Sequence, residues 1–171
     1  MGNIIEVMKF MGPLLLVNLL VLGLAVGGEE ISFRKLPAGD SIQVSFRSSG
    51  CFHQTAYEFD FQGGKDPAAR VTAIEEKWDP KSRRQLPEGR KELGAVVLSD
   101  SDLAGLDRLL KFYRQPQPGG CTTIDHITVS QRRGGKVAAT ESFTDSTCAT
   151  YDRKDLTLFT ALARRLEPKT P

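Results

Sequence analysis

The stretch CTTIDHITVSQRRGGKVAATESFTDSTC, residues 121–148, carries the strongest structural signal in the chain. Two segments rich in threonine and valine flank Gly134-Gly135, and a two-residue glycine turn is typical of a β-hairpin because both residues can adopt positive φ. Pairing the segments symmetrically about this turn places Cys121 opposite Cys148. Opposed hairpin residues lie at a distance that a disulfide can span. The sequence therefore predicts a disulfide between Cys121 and Cys148 at the open end of the hairpin.

The symmetric register has one defect, which concerns the faces of the hairpin. It places Ile127 and Val129 on one face but Val137 and Phe143 on the other. Either both faces are partly buried, or a β-bulge near Asp125-His126 shifts the phase of one strand. The disulfide prediction needs only that the two cysteines are close, so it holds under both interpretations.

Further strands are predicted on the N-terminal side of this hairpin. Apolar and polar residues alternate strictly in segments 40–47 and 55–62, which is typical of half-buried strands. The second of these segments carries a row of three aromatic residues, interpreted as core. Less regular patterns predict strands at 31–36, 70–78 and 93–98, whereas the polar segment 79–90, with two prolines and a glycine, predicts a surface loop.

Two helices are predicted from apolar residues spaced three and four apart. The first spans the leucines from Leu103 to Leu110, with Ser99 or Ser101 as its N-cap. The second runs from Leu156 to Leu166, with Asp152 or Asp155 as its cap. Together these elements predict the α+β class: an antiparallel sheet of about five or six strands with two helices packed on it.

The N-terminus resembles a secretory signal peptide. Residues 14–26 are apolar except for Asn18, and small residues at 25 and 27 favour cleavage after Gly27. We therefore divide the chain into a signal peptide, residues 1–27, and one domain, residues 28–171. The alternative is that the leader is retained as a membrane anchor, because 10–28 approaches the length that spans a bilayer.

Charge and cysteine content restrict the compartment and the partners. The 23 basic and 21 acidic residues nearly cancel, which argues against nucleic acid as a partner. A leader together with a disulfide predicts a secreted or periplasmic protein. The Gly-Cys-Phe-His segment at 50–53, ahead of an aromatic strand and followed later by a helix and a hairpin, resembles secreted domains of bacteria. That resemblance covers short stretches and implies no activity.

Few residues offer chemistry beyond structure. Cys51 and His53 are two residues apart, so in an extended segment they share a face, and the thiol could be activated there. With Cys121 and His126 they could also bind zinc, although the spacing is not that of a zinc ribbon or finger. Asp125 beside His126 is a poor general-base pair, because adjacent strand residues face opposite sides.

The sequence thus favours an exported, non-catalytic domain that binds a protein or a small ligand and needs no cofactor. The exposed segments 79–90 and 132–136 are the contact candidates for a partner. The alternative is a thiol- or metal-dependent enzyme that uses Cys51 and His53. A third possibility is a protease inhibitor, in which Arg132 or Arg133 at the hairpin tip would enter a trypsin-like pocket.

Overall fold

The computed structural model describes residues 30–51, 53–115, 118–153 and 156–167. These ranges contain six strands and three helices. The predicted signal peptide, residues 1–27, lies outside these ranges. In chain order the elements are β1 (Ser41–Ser49), β2 (Gln54–Gln62), β3 (Ala68–Asp79), β4 (Arg84–Val97), α1 (Asp100–Arg114), β5 (Ile124–Arg133), β6 (Lys136–Asp145), α2 (Ala149–Asp152) and α3 (Leu158–Arg164).

All six strands form one antiparallel sheet in the order β4-β3-β2-β1-β5-β6. Strands β1 to β4 form a meander, and α1 then returns the chain from the β4 edge to the far side of β1, where β5 pairs. This arrangement confirms the predicted α+β class with an antiparallel sheet and packed helices. Within the described ranges, no helix is long and apolar enough to cross a bilayer.

The core lies on one face of the sheet because the alternation in each strand keeps apolar side chains in phase. Val129, Val44, Phe59 and Val71 are partners across four adjacent strands, and all are buried. Helices α1 and α3 cover this row. Their buried residues are Leu106, Leu109, Leu110 and Tyr113 from α1 and Phe159, Leu162 and Ala163 from α3. The aromatic row in β2 is therefore mainly core, as its alternation predicts.

Helix α1 begins where the sequence predicts. Ser99 is the N-cap and forms a capping box with Asp102, each side chain bonding to the other's backbone amide. Asp102 also accepts hydrogen bonds from Arg165 after α3, at 2.5 and 3.1 Å. The Arg165 guanidinium is the main reason that the pKa of Asp102 falls to about 2. Asp102 therefore stabilises the start of α1 and joins it to the end of α3.

The β5–β6 hairpin forms around Gly134-Gly135, and its register corrects the symmetric prediction. Gln131 pairs with Ala139 but Arg132 pairs with Val137, so Ala138 is an extra residue beside the tip. The bulge is therefore next to the turn and not near Asp125-His126. It brings Phe143 opposite Ile127 and onto the core face.

The two cysteines that flank this hairpin lie at disulfide distance. The Cα atoms of Cys121 and Cys148 are 5.5 Å apart, and the structure joins their sulfur atoms. The amides of Gly120 and Cys121 both donate to the Ser146 carbonyl, at 3.0 and 2.8 Å, and so hold the two flanking segments together. The predicted proximity of Cys121 and Cys148 is therefore confirmed.

The predicted surface loop at 79–90 is wrong, because most of it is strand. Only 80–83 form a turn, and β4 starts at Arg84, paired with Asp79. Pro87 and Gly89 flank an extra residue, Glu88, at an irregularity in the pairing. β4 is an edge strand, where a proline is tolerated because its missing amide would otherwise face solvent.

Two smaller predictions are also wrong. Residues 31–36 form no strand; instead the Asp107 carboxylate of α1 accepts from the Phe33 amide at 2.7 Å and the Ser32 hydroxyl at 2.9 Å. The apolar pattern was real, since Ile31 and Phe33 are buried. The predicted last helix forms as α3, but its N-cap is Thr157 in place of a predicted aspartate, and a separate short helix, α2, ends at Asp152.

Candidate functional site

A cavity of about 640 Å³ opens at one end of the buried face, where β1, β2 and β5 meet Thr150 and residues 156–164. This volume lies within the range of small-molecule sites. Its apolar wall includes Phe46 and Phe159, whose ring centroids are 5.4 Å apart, and Leu156. Its polar wall is rich in hydroxyl groups, supplied by Ser48, Thr55, Thr123, Thr150, Thr157 and Thr160.

Two polar residues reach this cavity because they continue apolar rows. Ser48 follows Val44 and Phe46 on the buried face of β1, and Asp125 precedes Ile127 and Val129 on the buried face of β5. Ser48 and Asp125 are direct partners across the two strands, and both are buried. The end of the core face is therefore polar where its centre is apolar.

His53 joins them through the turn between β1 and β2. The Gly50 amide donates to the His53 carbonyl at 2.9 Å, and His53 Nε2 lies 3.1 Å from Ser48 Oγ. A Cβ at Gly50 would lie 2.7 Å from both His53 Cε1 and Thr123 Oγ1. A side chain at position 50 would therefore displace His53 or Thr123 from these positions.

Asp125 is the most buried polar residue of the site, with 1% of its surface exposed. Burial raises the pKa of its carboxyl, and the negative charge of Asp145 adds to this; hydroxyls of Ser48 and Thr150 and the charge of His53 act in the opposite direction. Thr150 donates to Oδ2 at 2.5 Å. Among the described residues, Oδ1 has no hydrogen-bond partner of good geometry.

A second buried acid and a tyrosine lie behind Asp125. Asp145 is its cross-strand partner in β6 and is also buried. Burial, followed by the charges of Asp125 and Asp145, raises the pKa of Tyr113 above its usual range. The charge of Asp145 thus makes ionisation of Asp125 less favourable, and the charges of both acids make ionisation of Tyr113 less favourable.

The order of the polar groups suits binding better than nucleophilic catalysis. In a serine nucleophile triad the histidine lies between the serine and the aspartate, which orients it as a base. Here the Ser48 hydroxyl lies between the His53 imidazole and the Asp125 carboxyl. The exposed Arg164 adds a cation at the rim. The cavity thus offers a deep acceptor, several hydroxyls, an imidazole and a cationic guanidinium.

The structure does not bring Cys51 and His53 into one site. Cys51 is exposed and is not among the residues that line the cavity, whereas His53 is. His126 lies on the opposite face of the sheet, 3.3 Å from the Thr144 hydroxyl, and Cys121 is paired with Cys148. No group of three or more histidine, cysteine or acidic side chains within the described ranges could hold a metal ion.

Sequence reasoning missed Ser48, Asp125 and Thr150 as members of one site. A signal for two of them was present: each strand pattern places one polar residue in phase with its buried row, Ser48 in β1 and Asp125 in β5. Thr150 had no such signal, because its role depends on how the chain turns after β6. The sequence pattern pairs Asp125 only with its neighbour His126, as a general-base pair, and His126 faces the other side of the sheet.

No protein-family model matches this chain, and no curated protein matches it. The chemistry of the cavity, and not a relative, therefore carries the functional inference.

Proposed function

We propose that this protein is an exported, non-catalytic domain that binds a small organic molecule in the cavity around Ser48, His53 and Asp125. One observation carries the proposal: Asp125 Oδ1 is buried and lacks a hydrogen-bond partner of good geometry among the described residues, in a cavity of ligand size. Leaving a buried acceptor unsatisfied costs about 1–3 kcal/mol. A ligand that donates a hydrogen bond there would recover much of this cost.

The walls of the cavity suggest the shape of that ligand. Phe46, Phe159 and Leu156 favour an apolar, ring-sized body. The buried Asp125 favours a hydroxyl or amino group at the deep end. Arg164 at the rim favours an acceptor or an anionic group at the outer end. We therefore expect an aromatic or alicyclic molecule that carries a hydrogen-bond donor.

The proposed location, secreted or periplasmic, rests on two features. The cysteine pair at disulfide distance is compatible with an oxidising compartment. The leader-like segment at 1–27 is the second feature. The alternative of a thiol- or metal-dependent enzyme built on Cys51 and His53 has less support, because Cys51 lies outside the cavity lining.

The test uses three probes that share an aromatic ring and differ in the donor: phenethylamine, phenylalanine and 2-phenylethanol. Titration is followed by ¹H–¹⁵N NMR of the backbone amides. We expect saturable shifts at Ser48, His53 and Thr150 with at least one probe. Absence of shifts at these amides with all three probes would contradict the proposed ligand class.

A matched pair of variants ties the shifts to the cavity. Ala161→Trp adds a large side chain to the cavity wall, whereas Thr140→Trp adds the same side chain to the exposed face of β6. We expect Ala161→Trp to weaken probe binding about tenfold or more and Thr140→Trp to leave it unchanged. Equal binding by both variants would place the ligand elsewhere and overturn the proposal.

A further inference from the structure

The end of the β3–β4 hairpin extends beyond the rest of the sheet. Strand β2 pairs with β3 only as far as Ala73, and β3 continues to Asp79 with β4 as its sole strand neighbour in the described part of the chain. Residues 77–86, here called the distal ribbon, therefore form a two-stranded projection with a turn at 80–83. The Asp79 carboxylate accepts hydrogen bonds from the amides of Lys81 and Ser82, at 3.1 and 3.0 Å, which define that turn.

Large apolar side chains are exposed on both faces of the distal ribbon. Trp78 is 53% exposed and Leu86 is 45% exposed. Trp78 pairs with Gln85, and Leu86 pairs with Lys77 at the next position. Side chains of successive pairs point to opposite faces, so Trp78 and Leu86 lie on opposite faces of the ribbon. A partner protein with a flat surface could cover only one of these faces. A medium that surrounds the ribbon would cover both.

The distal ribbon also concentrates positive charge. It contains Lys77, Lys81, Arg83 and Arg84 against a single acid, Asp79, a net charge of +3. The whole chain has a net charge of only +2, so all remaining residues together have −1. Lys77 forms an ion pair with Glu88 at 3.1 Å, and the remaining cations still polarise the charge of the protein toward this projection.

We propose that the distal ribbon inserts tip-first into the headgroup layer of a lipid bilayer that contains anionic lipids. Tryptophan is favoured at the membrane–water interface, and each cation near an anionic surface adds attraction. Leu86 and Lys77 are the third residue pair from the turn, roughly 7–10 Å along the ribbon. That length matches the depth at which interfacial segments bury their apolar side chains.

The same features fit nucleic acid less well. Single-stranded nucleic acid is bound by several aromatic side chains along a basic groove. The distal ribbon has one tryptophan and is a convex projection. This inference concerns a part of the molecule separate from the cavity, so either proposal can fail without the other.

The test uses vesicles of phosphatidylcholine with and without phosphatidylglycerol. Trp78 is the only tryptophan in the chain, so its fluorescence reports on the distal ribbon alone. With anionic vesicles we expect its emission to move to shorter wavelength and brominated lipid chains to quench it. Emission that stays unchanged at saturating anionic vesicles, or that changes equally with phosphatidylcholine alone, would overturn the proposal.

Matched charge reversals separate the distal ribbon from any other membrane-binding segment, including the leader-like N-terminus. Lys81→Glu with Arg83→Glu alters the turn, while Lys65→Glu with Lys136→Glu alters two exposed lysines away from it. In co-sedimentation of the full chain we expect the first pair to weaken vesicle binding about tenfold or more, and the second pair much less. Equal effects, or a Trp78 response to single-stranded DNA but not to vesicles, would overturn the lipid assignment.

Discussion

The β3–β4 and β5–β6 hairpins have the same basic design but opposite environments. Each is antiparallel, and each has a register irregularity. In β5–β6, Phe143 packs against Tyr113 of α1 with ring centroids 5.8 Å apart, and Arg114 donates to the Glu141 carboxylate at 2.7 Å. The distal ribbon of β3–β4 instead leaves its tryptophan exposed. The large side chains of a hairpin are therefore buried, at least in part, where another element packs against them, as α1 does at Phe143.

The largest effect on stability is expected from removing the disulfide beside β5–β6. Replacing both cysteines, Cys121→Ser with Cys148→Ser, is expected to lower the free energy of unfolding by about 2–4 kcal/mol, because the link constrains the unfolded chain. Denaturant unfolding of the oxidised protein measures this. Cys51→Ser is the control and should change stability by less than about 0.5 kcal/mol, since Cys51 is exposed. Equal unfolding midpoints for the double variant and the native chain would contradict the expectation.

The packed β5–β6 hairpin also contains a group that destabilises the folded protein, the buried Asp125 of β5. Burial raises the pKa of Asp125, so the folded state retains a proton that the unfolded state has released. The contribution of Asp125 to the free energy of unfolding is most favourable below its pKa in the unfolded chain, about 4. This contribution is lost as pH rises through its pKa in the folded protein. We expect Asp125→Asn to remove this decline, measured as the difference from the native chain in unfolding free energy at several pH values.

A second variant checks the direction of that effect. The Thr150 hydroxyl lowers the pKa of Asp125 by donating to it, so Thr150→Val should raise the pKa further. The loss of stability would then extend to higher pH than in the native chain. A loss displaced to lower pH by Thr150→Val would refute the assignment of this titration to Asp125.

The smallest effect is expected at the distal ribbon. Replacing residues 78–85 by Asn-Gly leaves Lys77 and Leu86 flanking a two-residue turn that favours a hairpin. Because the removed residues extend beyond the paired part of β2, we expect the free energy of unfolding to change by no more than about 1 kcal/mol. Thermal unfolding tests this, and a loss above about 2 kcal/mol would show that the projection supports the fold.

The sequence predicted best where a local pattern had a single structural meaning. Strict alternation identified β1 and β2, the leucine spacing identified α1, and Gly134-Gly135 identified the β5–β6 turn. The loop prediction for 79–90 failed because proline and glycine usually interrupt strands, yet an irregular edge strand accommodates Pro87 and Gly89. The strand prediction for 31–36 failed because side chains of α1 and of Glu141 in β6, and not a strand backbone, bond to that segment.

By itself, the amino-acid sequence determined the α+β class, which face of β1 and of β2 is buried, and the proximity of Cys121 and Cys148. These follow from spacing along the chain, since side-chain direction repeats every two residues in strands and about every 3.6 in helices. Only the tertiary structure decided that Ser48, His53, Asp125 and Thr150 line one cavity, and that Trp78 remains exposed. Both depend on which strands become neighbours and where β2 ends, and these contacts join residues distant in sequence.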